Sequence, residues 1–273
     1  MRKRFSLFLI CFDFLSEYSV ILYIKKLLFV LKLIYKFMKL LRYQNFIKES
    51  KKDIDSICEK YGIKNYTINE DGTIDVDESV SFYNRGLTEL PLKFGKVSGD
   101  FYCVVNKLTS LEGAPREVGV GFYCSNNKLT SLEGSPHEVG GNFSCNNNKL
   151  KSLEGSPRSV GGYFYCYRNQ LESLSGISKY ISKGIDLETN QLRDVQGIKD
   201  GWRGEVWIDE NPVYEIFKLF PYKRWDEVIE FLNEYEVIRD GKVVVLQALE
   251  LVFYEMGLEV PEIEEIEGYE IQY

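Results

Sequence analysis

Four cysteines stand 21 residues apart at Cys103, Cys124, Cys145 and Cys166, and the single histidine, His137, falls among them. Thiolates and imidazoles are the side chains of zinc sites and of nucleophilic catalysis. Zinc, however, needs four ligands converging on one point, and thiols repeated along a stack of equal turns point in parallel. Disulfides between neighbours meet the usual Cα separation, but the same parallel pointing opposes them. The decisive observation is that this column holds Phe82, Leu187 and Ile208 elsewhere. The position demands an apolar side chain, which a buried free cysteine supplies, and such packing fits a reducing compartment. His137 shares its column with Arg116 and Arg158, a solvated loop position. No nucleophile elbow, phosphate loop, CxxC pair or HExxH occurs. The expectation is a non-enzymatic chain with no metal and no cofactor.

A repeat positions these residues. Leu87, Leu108, Leu129, Leu150, Leu171 and Leu192 follow one another at 21-residue steps, as do Asn106, Asn127, Asn148, Asn169, Asn190 and Asn211. Glycine recurs at Gly113, Gly134, Gly155, Gly176 and Gly197. Seven pairs alternate around an outward residue: Val80/Phe82, Phe101/Cys103, Phe122/Cys124, Phe143/Cys145, Phe164/Cys166, Ile185/Leu187 and Val206/Ile208. Each pair reads as a short strand with two inward side chains. Rungs stacked in parallel at ~4.8 Å build a sheet, with the Asn amides forming a ladder that satisfies backbone groups at the turn.

The spacing of Phe143, Cys145, Asn148 and Leu150 resembles the leucine-rich repeat. The chain departs from it where Gly140-Gly141 replaces the first Leu and Val139 sits one residue earlier, so the return arm is expected to be extended or turn-like. In wording and capping segments the chain also looks like uncharacterised short-repeat proteins of tailed bacteriophages and bacteria. The resemblance implies a protein-interaction fold with no known activity. Short-repeat bacterial effectors that act as ubiquitin ligases carry a nucleophilic Cys in a C-terminal domain. Here no Cys follows Cys166, so that activity does not carry over.

The fold class is therefore a leucine-rich-repeat-like solenoid over residues 76–213, with a parallel sheet of about seven short strands. Residues 38–75 form an N-terminal α/β cap, a helix stopped by Gly62 and then a hairpin about Asp71-Gly72. Residues 214–258 form a mainly helical C-terminal cap over 213–220, 223–235 and 243–256. The acidic tail, 259–273, has no basic residue and is expected to be mobile.

Outward strand residues are the candidate site. Tyr102, Tyr123, Tyr165 and Trp207 share one column, into which Asp186 also falls, with Tyr163, Tyr167, Glu188, Glu205 and Asp209 beside it. Exposed aromatics combine contact area with a polar tip, and acids favour a basic partner. Cross-strand stabilisation of the sheet is the alternative use of these aromatics. The expectation is a module that binds a protein partner, such as a host protein in the host cytoplasm. The alternative is a structural or virion-associated component that assembles with copies of itself.

The net charge of −7 divides unevenly. Residues 1–37 sum to +5 and the remainder to −12, a balance that argues against a dedicated nucleic-acid binder. The leader resembles a secretory signal at FSLFLICF but lacks a small-residue cleavage site. Residues 20–41 contain no uncharged run near the ~20 residues a span requires. Lys25, Lys32, Lys36 and Lys39 share one helical face, which suits a membrane surface contacted through residues 1–42. The same composition also fits a mis-extended gene start, with translation beginning at Met38.

Overall fold

The computed structural model describes residues 25, 28–41, 51–198 and 204–273. Two compact units divide the chain, Met1–Asp55 and Ser56–Tyr273. Residues 28–41 and 51–61 are helical, and among the described residues no helix is long and apolar enough to cross a membrane. The signal-like run at the start of the leader, and Phe46 and Ile47 of the N-terminal cap, lie outside the described residues.

In the second unit the chain leaves the helix through Gly62, whose φ is +68°. Cys58 and Ile63 are buried beneath it, and the Tyr61 ring meets Phe82 edge-on at 5.1 Å. The expected hairpin follows: β1 (Tyr66–Ile68) pairs antiparallel with β2 (Ile74–Val76). Asp71 shapes its turn by accepting both the N–H and the hydroxyl of Thr73, at 3.0 and 2.7 Å.

From β2 onward the chain is a β-solenoid with a 21-residue rung, and each rung contributes to two sheets. The inward apolar pairs begin in β3 (Val80–Ser81), β5 (Phe101–Tyr102), β7 (Phe122–Tyr123), β9 (Phe143–Ser144), β11 (Tyr163–Tyr165), β13 (Gly184–Asp186) and β14 (Glu205–Trp207), the second member of each standing one residue past its strand. These seven stack in parallel in that order. The return arm, expected to be extended or turn-like, builds a second sheet from β4 (Phe94–Val97), β6 (Glu117–Val118), β8 (Glu138–Val139), β10 (Ser159–Val160) and β12 (Tyr180–Ile181), which continue from β2. Each return strand turns one Val or Ile inward and exposes or half-exposes the residue before it.

Between the sheets the core repeats rung by rung. Val139, Phe143, Cys145, Leu150 and Leu153 are all at most 2% exposed. Phe101, Phe122 and Phe143 stack at 5.5 and 5.6 Å with nearly parallel rings. The Asn ladder forms as the spacing predicts. Asn127 donates Nδ2 to the carbonyls of Cys103 and Cys124 at 2.9 and 3.0 Å and accepts the Leu108 N–H at 3.0 Å. Each amide thus joins its own rung to the one before it.

Helices Tyr214–Phe217 and Trp225–Glu234 follow the last rung, burying Ile216, Phe217, Trp225, Val228, Ile229 and Leu232. Two expectations need correction here. Helix 243–256 begins only at Leu246 and runs to Glu255, because Val243–Val245 is β16, paired antiparallel with β15 (Ile238–Arg239) across Asp240-Gly241. Three consecutive β-branched residues favour that extended start. The acidic tail, expected to be mobile, ends in β17 (Glu270–Gln272), parallel to β16. Ile266 is buried, and Tyr269 donates its hydroxyl to the Arg193 carbonyl at 2.6 Å. Its acids project from a segment anchored by these less frequent apolar and aromatic residues.

Candidate binding face

The outer face of the Phe/Cys sheet displays three columns, because side chains two residues apart share a face. Registers Tyr102↔Tyr123, Tyr123↔Ser144, Ser144↔Tyr165, Tyr165↔Asp186 and Asp186↔Trp207 confirm a single central column. Tyr163, Gly184 and Glu205 align on one side of it. Glu188 and Asp209 stand two residues beyond Asp186 and Trp207 on the other.

The structure separates the sequence candidates into two groups. Tyr102 and Tyr123 stack face to face at 4.7 Å on β5 and β7. Burial first, and Asp100 second, pushes both phenols above their ordinary pKa. Ser144 interrupts the column. It is buried together with Ser125 and Asn146, and both hydroxyls donate to Asn146 Oδ1 at 2.6 Å. Alternating types alone do not reveal a polar network sealed within the outer face. Outward position is also not free surface at Asp100 and Asn142, whose carboxylate and amide oxygens accept the N–H groups of Gly121 and Tyr163 at 2.8 and 2.9 Å.

The second group lies on β11, β13 and β14. The Tyr163 ring is 5.7 Å from Tyr165 and 5.8 Å from Trp207. Gly184 carries no side chain between Tyr163 and Glu205, and the Tyr163 hydroxyl reaches across to donate to Glu205 Oε2 at 3.3 Å. That carboxylate raises the Tyr163 pKa. Asp186 is half-buried, in register between Tyr165 and Trp207. Its carboxyl is pushed up to about 6, chiefly by burial and further by Glu188 and Asp209, against the lowering effect of the Glu188 N–H. Burial and Asp209 likewise raise Glu188. Glu205 is exposed, whereas Tyr165, Tyr167, Trp207 and Asp209 are half-buried.

Two further residues join this group and were missed in the sequence. Lys183 holds its Nζ 5.5 Å from the Tyr163 ring centre. Tyr222, from the C-terminal cap, has its pKa raised by burial and by Glu205, Asp209 and Glu188. An open cleft of about 400 Å³ lies between the last rung and the cap, lined in part by Lys183, Glu205, Tyr222 and Trp225. No column of the repeat extends into the cap, so periodicity gave no signal for Tyr222.

The cysteine column is packing material. Cys103, Cys124, Cys145 and Cys166 are free thiols with no exposed surface, and burial raises their pKa values far from the thiolate range. His137 is exposed, hydrogen-bonded through its backbone to Arg116 and Arg158 in neighbouring rungs. Compared with family models, curated proteins and solved structures, the chain matches none.

Proposed function

We propose that this chain is a non-catalytic protein-interaction module whose face over β11, β13 and β14 takes a lysine- or arginine-bearing segment of a partner protein. The observation that carries the reading is Asp186 held in register between Tyr165 and Trp207. A cation placed there meets a carboxylate flanked in register by two aromatic side chains, so charge pairing favours it and cation–π attraction adds to it. Glu188, Glu205 and Asp209 extend the acidic field on both sides. Desolvation makes ionised Asp186 costly in the free protein, and a bound cation offsets that cost.

The repeat spacing supports reading the array as leucine-rich-repeat-like. Under the resemblance to short-repeat proteins of phages and bacteria, the partner is a host protein in the cytoplasm. Buried free thiols suit that reducing compartment. Titration with a Lys/Arg-rich peptide and with its Glu-substituted counterpart tests the chemistry. Binding of the basic peptide alone is expected. Tyr165→Ala and Trp207→Ala should each weaken it by about tenfold or more, the range of interface anchors. Unchanged affinity in folded variants overturns the proposal. A discrete self-assembled mass that buries this face favours the structural component instead.

A further inference from the structure

The helix over residues 28–41 has an unusual surface. Lys32, Lys36 and Lys39, together with Lys25, fall within an arc of about 60° at about 100° per residue. The eleven other residues of 28–41 are all apolar and all exposed, from 37% at Leu41 to 72% at Tyr35. An apolar surface of that extent in water calls for a cover. Its width says what kind. A face that packs on a core or on one neighbouring helix is a stripe of roughly 100°, whereas here only the lysine arc is polar. A medium that wraps the helix covers it, and a single partner helix leaves most of it in water.

Charge selects among such media. Residues 18–48 carry seven basic residues and no acidic one, in a chain whose net charge is −7. The helix carries Lys32, Lys36 and Lys39 within its apolar run, and among the described residues no helix is long and apolar enough to cross a membrane. It therefore fits the plane of a bilayer rather than its normal. Val30, Ile34, Phe37 and Leu41, which lie on the side away from the lysine arc, can then enter the acyl region, while the lysine stems return their ammonium groups to headgroup phosphates. We infer that the helix over residues 28–41 is an in-plane anchor for an anionic membrane surface. This inference is independent of the binding face over β11, β13 and β14.

Flotation of the full chain with phosphatidylcholine vesicles, with and without phosphatidylserine, tests it. The protein is expected to float with the anionic vesicles, poorly with the neutral ones, and less as salt rises. The combined variant Lys32→Glu, Lys36→Glu, Lys39→Glu should bind anionic vesicles at least about tenfold more weakly. Ile34→Asp with Phe37→Asp should abolish flotation on both. Unchanged thermal unfolding of both variants shows that the solenoid is intact. The inference is overturned if the wild-type chain does not float. It is equally overturned if both variants float as the wild type does, or if self-association alone accounts for the covered helix.

Discussion

Asn190 accepts the backbone N–H of Leu171 at 3.0 Å, across the step from one rung to the next. Its Nδ2 donates to the Cys166 carbonyl at 3.2 Å and the Leu187 carbonyl at 2.9 Å. The side chain is buried, so these partners have no water to replace it. Asn190→Ala is expected to destabilise the solenoid by about 3 kcal/mol, the scale of orphaned buried polar groups. Asn190→Asp keeps the acceptor but loses the donor and brings a charge inside, so it should be no better tolerated. Urea denaturation reads both, and an unmoved midpoint would remove the ladder from the account of stability.

A second prediction concerns how closely rungs approach at the corner between sheets. A Cβ built on Gly140 would stand 2.1 Å from the carbonyl oxygen of Gly119, and Gly161 makes the same approach to Gly140. The obstructing atom is backbone, which cannot swing aside as a side chain can. Gly140→Ala should therefore destabilise by about 3 kcal/mol, at the upper end of overpacking costs. The equivalent end-rung positions hold Ser98 and Ser182. Gly140→Ser in the interior should behave like Gly140→Ala. Thermal denaturation midpoints equal to wild type would show that interior rungs yield as end rungs do.

The turn before each ladder Asn provides a stabilising test. Val105, Asn126, Asn147, Arg168, Thr189 and Glu210 all have φ between +53° and +57°. For a β-branched residue that left-handed conformation is strained. Val105 is exposed, so little packing is lost by replacing it. Val105→Asn, which copies the residue found one and two rungs further along the same column, should raise stability by about 1 kcal/mol. A lower denaturation midpoint in that variant would contradict the left-handed turn at this rung.

These positions also show where the sequence speaks and where it falls silent. The Asn column and the inward apolar pairs are legible because every rung repeats them and because strand geometry and buried amides explain each one. The second sheet is harder to see. Glu117–Val118 and Glu138–Val139 are two residues long, with one inward Val apiece, too little alternation to declare a strand. Identical neighbours above and below supply the pairing that such short segments lack alone. Ile266 and Tyr269 anchor a tail whose composition is dominated by acids, and a composition-based reading weighs the acids. At the binding face, Asp186 between Tyr165 and Trp207 was legible from the period. The sealing of Ser125, Ser144 and Asn146 was not, because their mutual hydrogen bonds and burial leave no mark in the alternation of residue types.

The last prediction follows from Asp186. Its carboxyl rises from the ordinary 3.8 to about 6 in the folded protein. Between those values the folded state holds a proton that the unfolded chain has released. The stability linked to that proton is complete below about pH 4 and is lost as pH climbs through about 6. Asp186→Asn removes the titration. The variant should therefore be more stable than wild type near pH 7, and the gap should close towards about pH 4. Glu188, raised in the same direction, leaves a residual slope in both proteins. Binding runs the other way, since only the ionised carboxyl pairs with a cation. Affinity for the Lys/Arg-rich peptide should fall as pH drops below about 6, and Asp186→Asn should flatten that profile while weakening binding near neutrality. Parallel urea and peptide titrations across this range decide the matter. A stability gap constant with pH would show that Asp186 is not the group responsible, and a peptide profile unchanged by Asp186→Asn would remove it from the binding face.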